Sequence, residues 1–303
     1  MAVSAKMVKS LRQQTGAGMM DCKKALTETD GNLEEAVDWL RKKGLSTASK
    51  KAGRVAAEGK VIAISNGSRG VLLEANLETD FASKNEKFIA FANTTAQVIL
   101  DNTPADVEAL KALDYPGSGH NVGEELTQQI ASIGENMNLR RFAIEEVPQG
   151  VVSTYIHMGG KIGVMVGVES AVSDEAALTE IGKKIAMHVA ASAPPYLDRA
   201  SVPEADLERE KSVLTEQAKS SGKPDNIIEK MVIGRINKFY GENCLLEQPF
   251  VMDPDQKVGK FLTAEAKKLG ADAKLTGYVR FALGEGIDKG NKDFAEEVAQ
   301  QLG

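Results

Sequence analysis

Val61-Ile62-Ala63-Ile64-Ser65-Asn66-Gly67-Ser68-Arg69-Gly70-Val71-Leu72-Leu73-Glu74-Ala75 reads as two strands folded about a tight turn. The aliphatic runs suit a pleated surface, and Asn66-Gly67 supplies the backbone conformations that a two-residue hairpin demands. The same order recurs downstream. Val151-Val152-Ser153-Thr154-Tyr155-Ile156 is a strand, His157-Met158-Gly159-Gly160 a turn, and Lys161-Ile162-Gly163-Val164-Met165-Val166 its partner. A helical period follows each hairpin. Asn85 to Leu100 carries Phe88, Ile89, Phe91, Ala92, Ala96 and Ile99; Ala176 to Ala191 carries Leu178, Ile181, Ile185 and Val189. A further helix is expected between Glu124 and Gly134. The pattern predicts an α+β fold with two related core subdomains, at 60–147 and at 148–193 together with 241–284. Each is a hairpin-based sheet backed by helices.

Three other segments surround this core. Residues 1–53 form a miniature three-helix module. Met7, Val8 and Leu11 share one face; Met19, Cys22, Ala25 and Leu26 a second; Leu33, Ala36, Val37 and Leu40 a third. Thr15-Gly16-Ala17-Gly18 and Asp30-Gly31-Asn32 break the pattern between them. Gly44 to Gly59, rich in Lys, Ala and Ser, reads as a linker with a solvated basic face. Residues 194–240 read as an antiparallel helical hairpin, Glu204–Ser220 and Asp225–Tyr240 about Ser221-Gly222-Lys223-Pro224. Its seam is expected to hold Leu207, Val213, Leu214, Ile227, Ile228 and Met231. Gln248-Pro249-Phe250-Val251-Met252 is a turn and short strand, Thr276 to Leu283 a last strand, and 285–303 a terminal module with a short helix at Phe294–Leu302.

Glu78-Thr79-Asp80-Phe81 lies between a strand and a helix. Thr and Asp suit a capped helix start, because their oxygens accept backbone N–H groups. The Phe is out of place there. Burying it gains roughly 1.5–3 kcal/mol, so it either packs inward or is kept for a partner. The second copy carries Glu169-Ser170-Ala171-Val172 at roughly the matching place, which favours a special role for the first loop.

Composition limits the chemistry. The chain has 303 residues, 42% of them hydrophobic, and a net charge of −6. An acidic balance disfavours sequence-independent nucleic-acid binding. No apolar run is long enough for a membrane span, and the N-terminus has no signal core or transit pattern, so a cytoplasmic location is expected. Cys22 and Cys244 lie in separate modules, show no metal-ligand spacing, and read as reduced thiols. No Walker loop occurs. Gly117-Ser118-Gly119 and Gly284-Glu285-Gly286 read as turns, and His120, His157 and His188 form no metal pair. No nucleophile, base and orienter stand out as a unit, so neither cofactor nor metal is expected.

Leu11-Arg12-Gln13-Gln14-Thr15-Gly16-Ala17-Gly18-Met19-Met20-Asp21-Cys22-Lys23-Lys24-Ala25-Leu26 closely resembles the N-terminal signature of the bacterial elongation factor Ts family. Glu74-Ala75-Asn76-Leu77-Glu78-Thr79-Asp80-Phe81-Ala82-Ser83-Lys84 resembles its second signature. Ile133-Gly134-Glu135-Asn136, Ala186-Met187-His188-Val189-Ala190-Ala191 and Gln248-Pro249-Phe250-Val251-Met252 extend the likeness along the chain. Ala75 and Ala82 are smaller than the aliphatic residues common there, and Leu77 replaces a smaller or polar one.

The resemblance implies a guanine-nucleotide exchange factor that binds elongation factor Tu, rather than an enzyme. It assigns Thr79, Asp80 and Phe81 to a loop that intrudes on the partner near its metal site. It makes Met19, Met20 and His157 further partner contacts, although each methionine also suits core packing and the histidine a turn. The first module is similar to ubiquitin-associated (UBA-like) domains, so a helical adaptor without exchange activity is the alternative; an unrecognised enzyme is a second. The hairpin resembles a coiled-coil module used by some members to self-associate, which adds homodimerisation to the expected contacts.

Overall fold

The computed structural model describes residues 3–220 and 224–289. Helices α1 (Ala5–Thr15), α2 (Met19–Glu28) and α3 (Leu33–Lys51) form the first module. Ser4 caps α1 by accepting the Met7 N–H, and Gly16 ends it in the left-handed conformation that a residue without Cβ adopts freely. Val8, Leu11, Cys22, Ala25, Leu26 and Ala36 fill its small core.

The expected linker is in part helix, because α3 runs on to Lys51. That stretch has no apolar stripe to betray it. Gly44 lets α3 come close to Thr127 and Ala131, and Ala48 packs on the first sheet's core. Arg41 pairs with Glu124, and the Lys51 ammonium donates to the Gly134 carbonyl. Arg41, Lys51 and Arg54 of the basic run thus fasten the first module to the core.

Next come β1 (Glu58–Ser65), β2 (Arg69–Leu77), α4 (Glu86–Asn102), α5 (Val107–Ala112), α6 (Val122–Ile133) and β3 (Met137–Glu146). The order β1-β2-β3 is antiparallel throughout. The sequence reading missed α5 and β3. In β3 the pair Arg140-Arg141 interrupts the alternation, because Arg140 is the extra residue of a bulge opposite Glu74/Ala75. The second unit repeats the plan with β4 (Gly150–His157), β5 (Ile162–Ser170) and α7 (Glu175–Ser192). Helices α8 (Glu204–Lys219) and α9 (Asp225–Asn243) project as the hairpin, α9 continuing beyond 240. The pair β6 (Pro249–Phe250) and β7 (Asp253–Lys257), then α10 (Val258–Lys268) and β8 (Ala273–Ala282), complete the unit in the order β4-β5-β8. Its bulge, at Gly167/Val168, sits at the same register position as the first.

The outer faces of the two sheets pack under helices, α4 and α6 on one and α7 and α10 on the other. The inner faces meet each other through Val61, Leu72, Val147, Val152, Met165 and Phe281. This junction is reciprocal. The Val61 N–H donates to Gly160 O at 2.8 Å, and the Val152 N–H to Gly67 O at 2.6 Å. Gly70 lies against Val152 while Gly163 lies against Val61, and a Cβ on either glycine would collide with the facing valine. Two copies of one supersecondary unit thus share a self-complementary interface within one chain.

In the hairpin, Leu207, Leu214 and Met231 are partly covered and Ala218, Ile228 and Ile236 buried. Val213 and Ile227, expected in the seam, are exposed, as is Ile233. The expected helix Phe294–Leu302 and residues 290–303 lie outside the described residues.

Candidate partner-binding site

The loop after β2 is held by its polar residues so that its apolar one projects. Glu135, just past α6, grips Thr79 twice: the Thr79 N–H donates to Oε2 at 2.9 Å and its hydroxyl to Oε1 at 2.7 Å. The same hydroxyl accepts the Ala82 N–H at 3.2 Å, starting the short 3-10 turn Ala82–Lys84. Glu78 accepts the Asn136 N–H at 2.6 Å and pairs with Arg54 at 3.5 Å. Asp80 pairs with Lys84 at 3.2 Å and presents most of its carboxylate to water. Asn85, rather than Thr79 or Asp80, caps α4, accepting from the Lys87 N–H.

Phe81 is 83% exposed. The inward packing that a loop Phe usually finds does not occur here, and an aromatic ring is left in water at an energetic disadvantage.

Met19 and Met20 open α2 after Gly18. Neither is in the core of the first module; Met20 is 73% exposed. They line a shallow groove with Arg12, Lys23 and Lys87. Lys87 belongs to the first turn of α4, so the groove reaches from the first module to the helix that follows the Phe81 loop. His157 stands apart at the end of β4. Its Nδ1 lies 2.9 Å from the Tyr155 hydroxyl, and Met158 next to it is exposed with φ +48°. The β4–β5 turn rests on β1, where the Lys60 ammonium donates to Gly159 O at 2.8 Å.

The sequence reading passed over a second apolar tip. Val251 and Met252, between β6 and β7, are 50% and 49% exposed. Two apolar residues directly before Asp253-Pro254, a turn-forming pair, were the available signal.

Charge is buried elsewhere for another purpose. Glu74 is fully buried in β2 and accepts from Arg140 at 2.9 Å, Arg141 at 2.6 Å and the Gly284 N–H at 2.8 Å. Burial pushes its pKa up, but the donors from Gly284, Arg141, Arg140 and Asn76 together outweigh that and hold it below the usual carboxylate value. Glu58 is likewise held low, by Lys161 and Lys289. Both carboxylates tie the first sheet to segments of the second unit. Among the described residues no cluster of His, Cys, Asp or Glu is arranged to hold a metal, and no helix is long and apolar enough to cross a membrane.

Exposed apolar tips at Met19-Met20, Phe81, Met158 and Val251-Met252, carried on a duplicated scaffold, are candidates for contact with another macromolecule. The family described as Elongation factor TS matches residues 78–285. Elongation factor Ts of Magnetococcus marinus is 62% identical over 300 residues, covering 99% of both chains. The proteins of that name from Syntrophotalea carbinolica and Rhodospirillum centenum are each 54% identical, with 99% of both chains covered. This chain belongs to the elongation factor Ts family, a family of translation elongation factors.

Proposed function

We infer that the chain is a guanine-nucleotide exchange factor for elongation factor Tu and that Phe81 is its wedge. The observation that carries this reading is an aromatic ring left 83% exposed by a loop whose neighbouring residues are all hydrogen-bonded or paired. Ring burial in an apolar gap of the partner would recover roughly 1.5–3 kcal/mol. That energy can be directed at displacing a loop of the partner.

Asp80, beside the wedge, brings negative charge towards the site where the partner's nucleotide holds its metal. Thr79, clamped by Glu135, fixes the direction of approach. Met19 and Met20 extend the contact from the first module, and His157 with Met158 and Val251 with Met252 extend it from the second unit.

No bond is made or broken by this chain. The partner without nucleotide must be bound more tightly than its GDP form, and linkage then requires that GDP be weakened by the same factor. Each ~1.4 kcal/mol of that coupling is tenfold in affinity. The exposed Val213, Ile227 and Ile233 on the hairpin support self-association there. The adaptor reading is not favoured, since the likeness to elongation factor Ts spans nearly the whole chain rather than the first module alone.

Release of a fluorescent GDP analogue from elongation factor Tu tests the reading. Catalytic amounts of this chain should accelerate release, and no acceleration at any concentration would refute it. Titration with GDP and Mg²⁺ in the absence of Tu should give no stoichiometric isotherm.

A further inference from the structure

His188 is buried in α7, whose other core positions are aliphatic. Both ring nitrogens have partners on one short segment. Nε2 lies 2.8 Å from Gln248 Oε1, and Nδ1 accepts the Val251 N–H at 3.1 Å. Since a backbone N–H can only donate, the ring is neutral with its proton on Nε2, which donates to the Gln248 carbonyl oxygen. Burial, which pushes the His188 pKa down, favours the same form.

Gln248 passes the hold onward. Its amide donates to Glu242 O at 2.6 Å near the end of α9, and its own carbonyl accepts the Val258 N–H at 3.0 Å at the start of α10. The Phe250 ring lies 5.9 Å from the imidazole, centroid to centroid, and stacks on Phe261 at 4.3 Å. Only two residues wide and irregular at Pro249/Phe250, the β6–β7 pairing gives the Val251 amide no ladder partner. An imidazole inside an apolar core is costly unless both nitrogens are satisfied. Here they are, one by Gln248 and the other by Val251, where the chain turns outward to expose Val251 and Met252.

We propose that His188 is a positioning residue for the Val251–Met252 tip, which the exchange-factor reading above already counts among the partner contacts. The inference rests on the exchange-factor reading above. Leucine at 188 would fill similar space but leave the Val251 N–H and the Gln248 oxygen without partners. Asparagine would keep an acceptor near the Nδ1 position. Glutamine would reach Gln248 and lose Val251.

The test combines two readouts on the full chain. Hydrogen exchange at the Val251 amide reports the tip directly, and GDP release from Tu at varied factor concentration separates half-saturation from the plateau rate. In His188→Leu the Val251 amide should exchange about tenfold faster, and half-saturation should rise about tenfold with the plateau largely kept, as for one lost buried hydrogen bond. His188→Asn should recover most of both; His188→Gln should not. In a Val251→Ala/Met252→Ala background the 188 substitution should add nothing to half-saturation. Unchanged Val251 protection in the folded His188→Leu chain, or in His188→Gln should the leucine variant fail to fold, overturns the positioning role. Wild-type half-saturation in the Val251→Ala/Met252→Ala chain overturns docking by the tip. Full loss of exchange by wild-type chain would instead fall on the exchange-factor reading.

Discussion

The loops that follow β2 and β5 leave equivalent strands of the duplicated unit and go to equivalent helices, yet they differ in length and chemistry. Seven residues, 78–84, lie between β2 and the cap Asn85, whereas three, 171–173, lie between β5 and the cap Asp174. Gly59 and Gly150, both at strongly positive φ, pair with Asn76 and Glu169 and fix the alignment of the copies. The counterpart of Glu78-Thr79-Asp80-Phe81 is then Ala171-Val172-Ser173-Asp174, two residues beyond the match drawn from the sequence. In the second copy Val172 turns inward and Asp174 directly caps its helix. A strand-to-helix connection of this fold therefore needs three residues. The longer loop of the first copy adds an Ala82 that packs on the core, and it holds Phe81 out.

Exchanging the loops breaks the comparison most severely. Replacing 78–84 by the sequence of 171–173 should reduce stimulated GDP release by about a hundredfold, the order expected for losing ~3 kcal/mol of partner contact. The unfolding transition of the core should survive, measured by circular dichroism in the same preparation. Loss of the transition would mean that the long loop is structural.

Position 74 sharpens the contrast from the side of stability. Its counterpart by register is Gly167, against which Thr276 packs too closely for a Cβ. The first copy instead buries a carboxylate that collects two arginines and the Gly284 amide. Glu74→Gln should destabilise the fold by about 3 kcal/mol, since it leaves buried donors facing a neutral group. The folded pKa of Glu74 lies below its unfolded value. Its contribution is therefore complete above the ordinary glutamate pKa of ~4.3 and is lost as pH falls through the lower folded value. Denaturant titrations down the acid limb should show a shallower loss of stability in Glu74→Gln than in wild type. Equal slopes would assign acid sensitivity to other groups.

Met20→Ala should have the smallest effect. An exposed contact at the margin of an interface is worth less than ~1 kcal/mol, so half-saturation should rise by about fivefold or less with the plateau unchanged. A change above tenfold would move the centre of the contact from the Phe81 loop to the first module.

The two hairpins and their helices were legible in the sequence because period and turn chemistry agree there. Strand β3 was hidden by its bulge, where two arginines converge on Glu74. The tail of α3 was hidden because Gly44 and Ala48 pack by smallness, which leaves no apolar stripe to read. Phe81 was visible as a candidate through the second copy and the family resemblance, since nothing in the tetrapeptide alone separates an inward ring from an outward one. Val251 and Met252 were missed because their exposure depends on a histidine some sixty residues earlier in the chain.

The most direct measurement is Phe81→Ala at sub-saturating factor, with GDP release from elongation factor Tu and thermal unfolding followed side by side. Because the ring makes no core contact, the unfolding midpoint should stay at the wild-type value, while stimulated release should fall by roughly ten- to a hundredfold, as the loss of 1.5–3 kcal/mol requires. Wild-type stimulation by a folded Phe81→Ala chain would contradict the account.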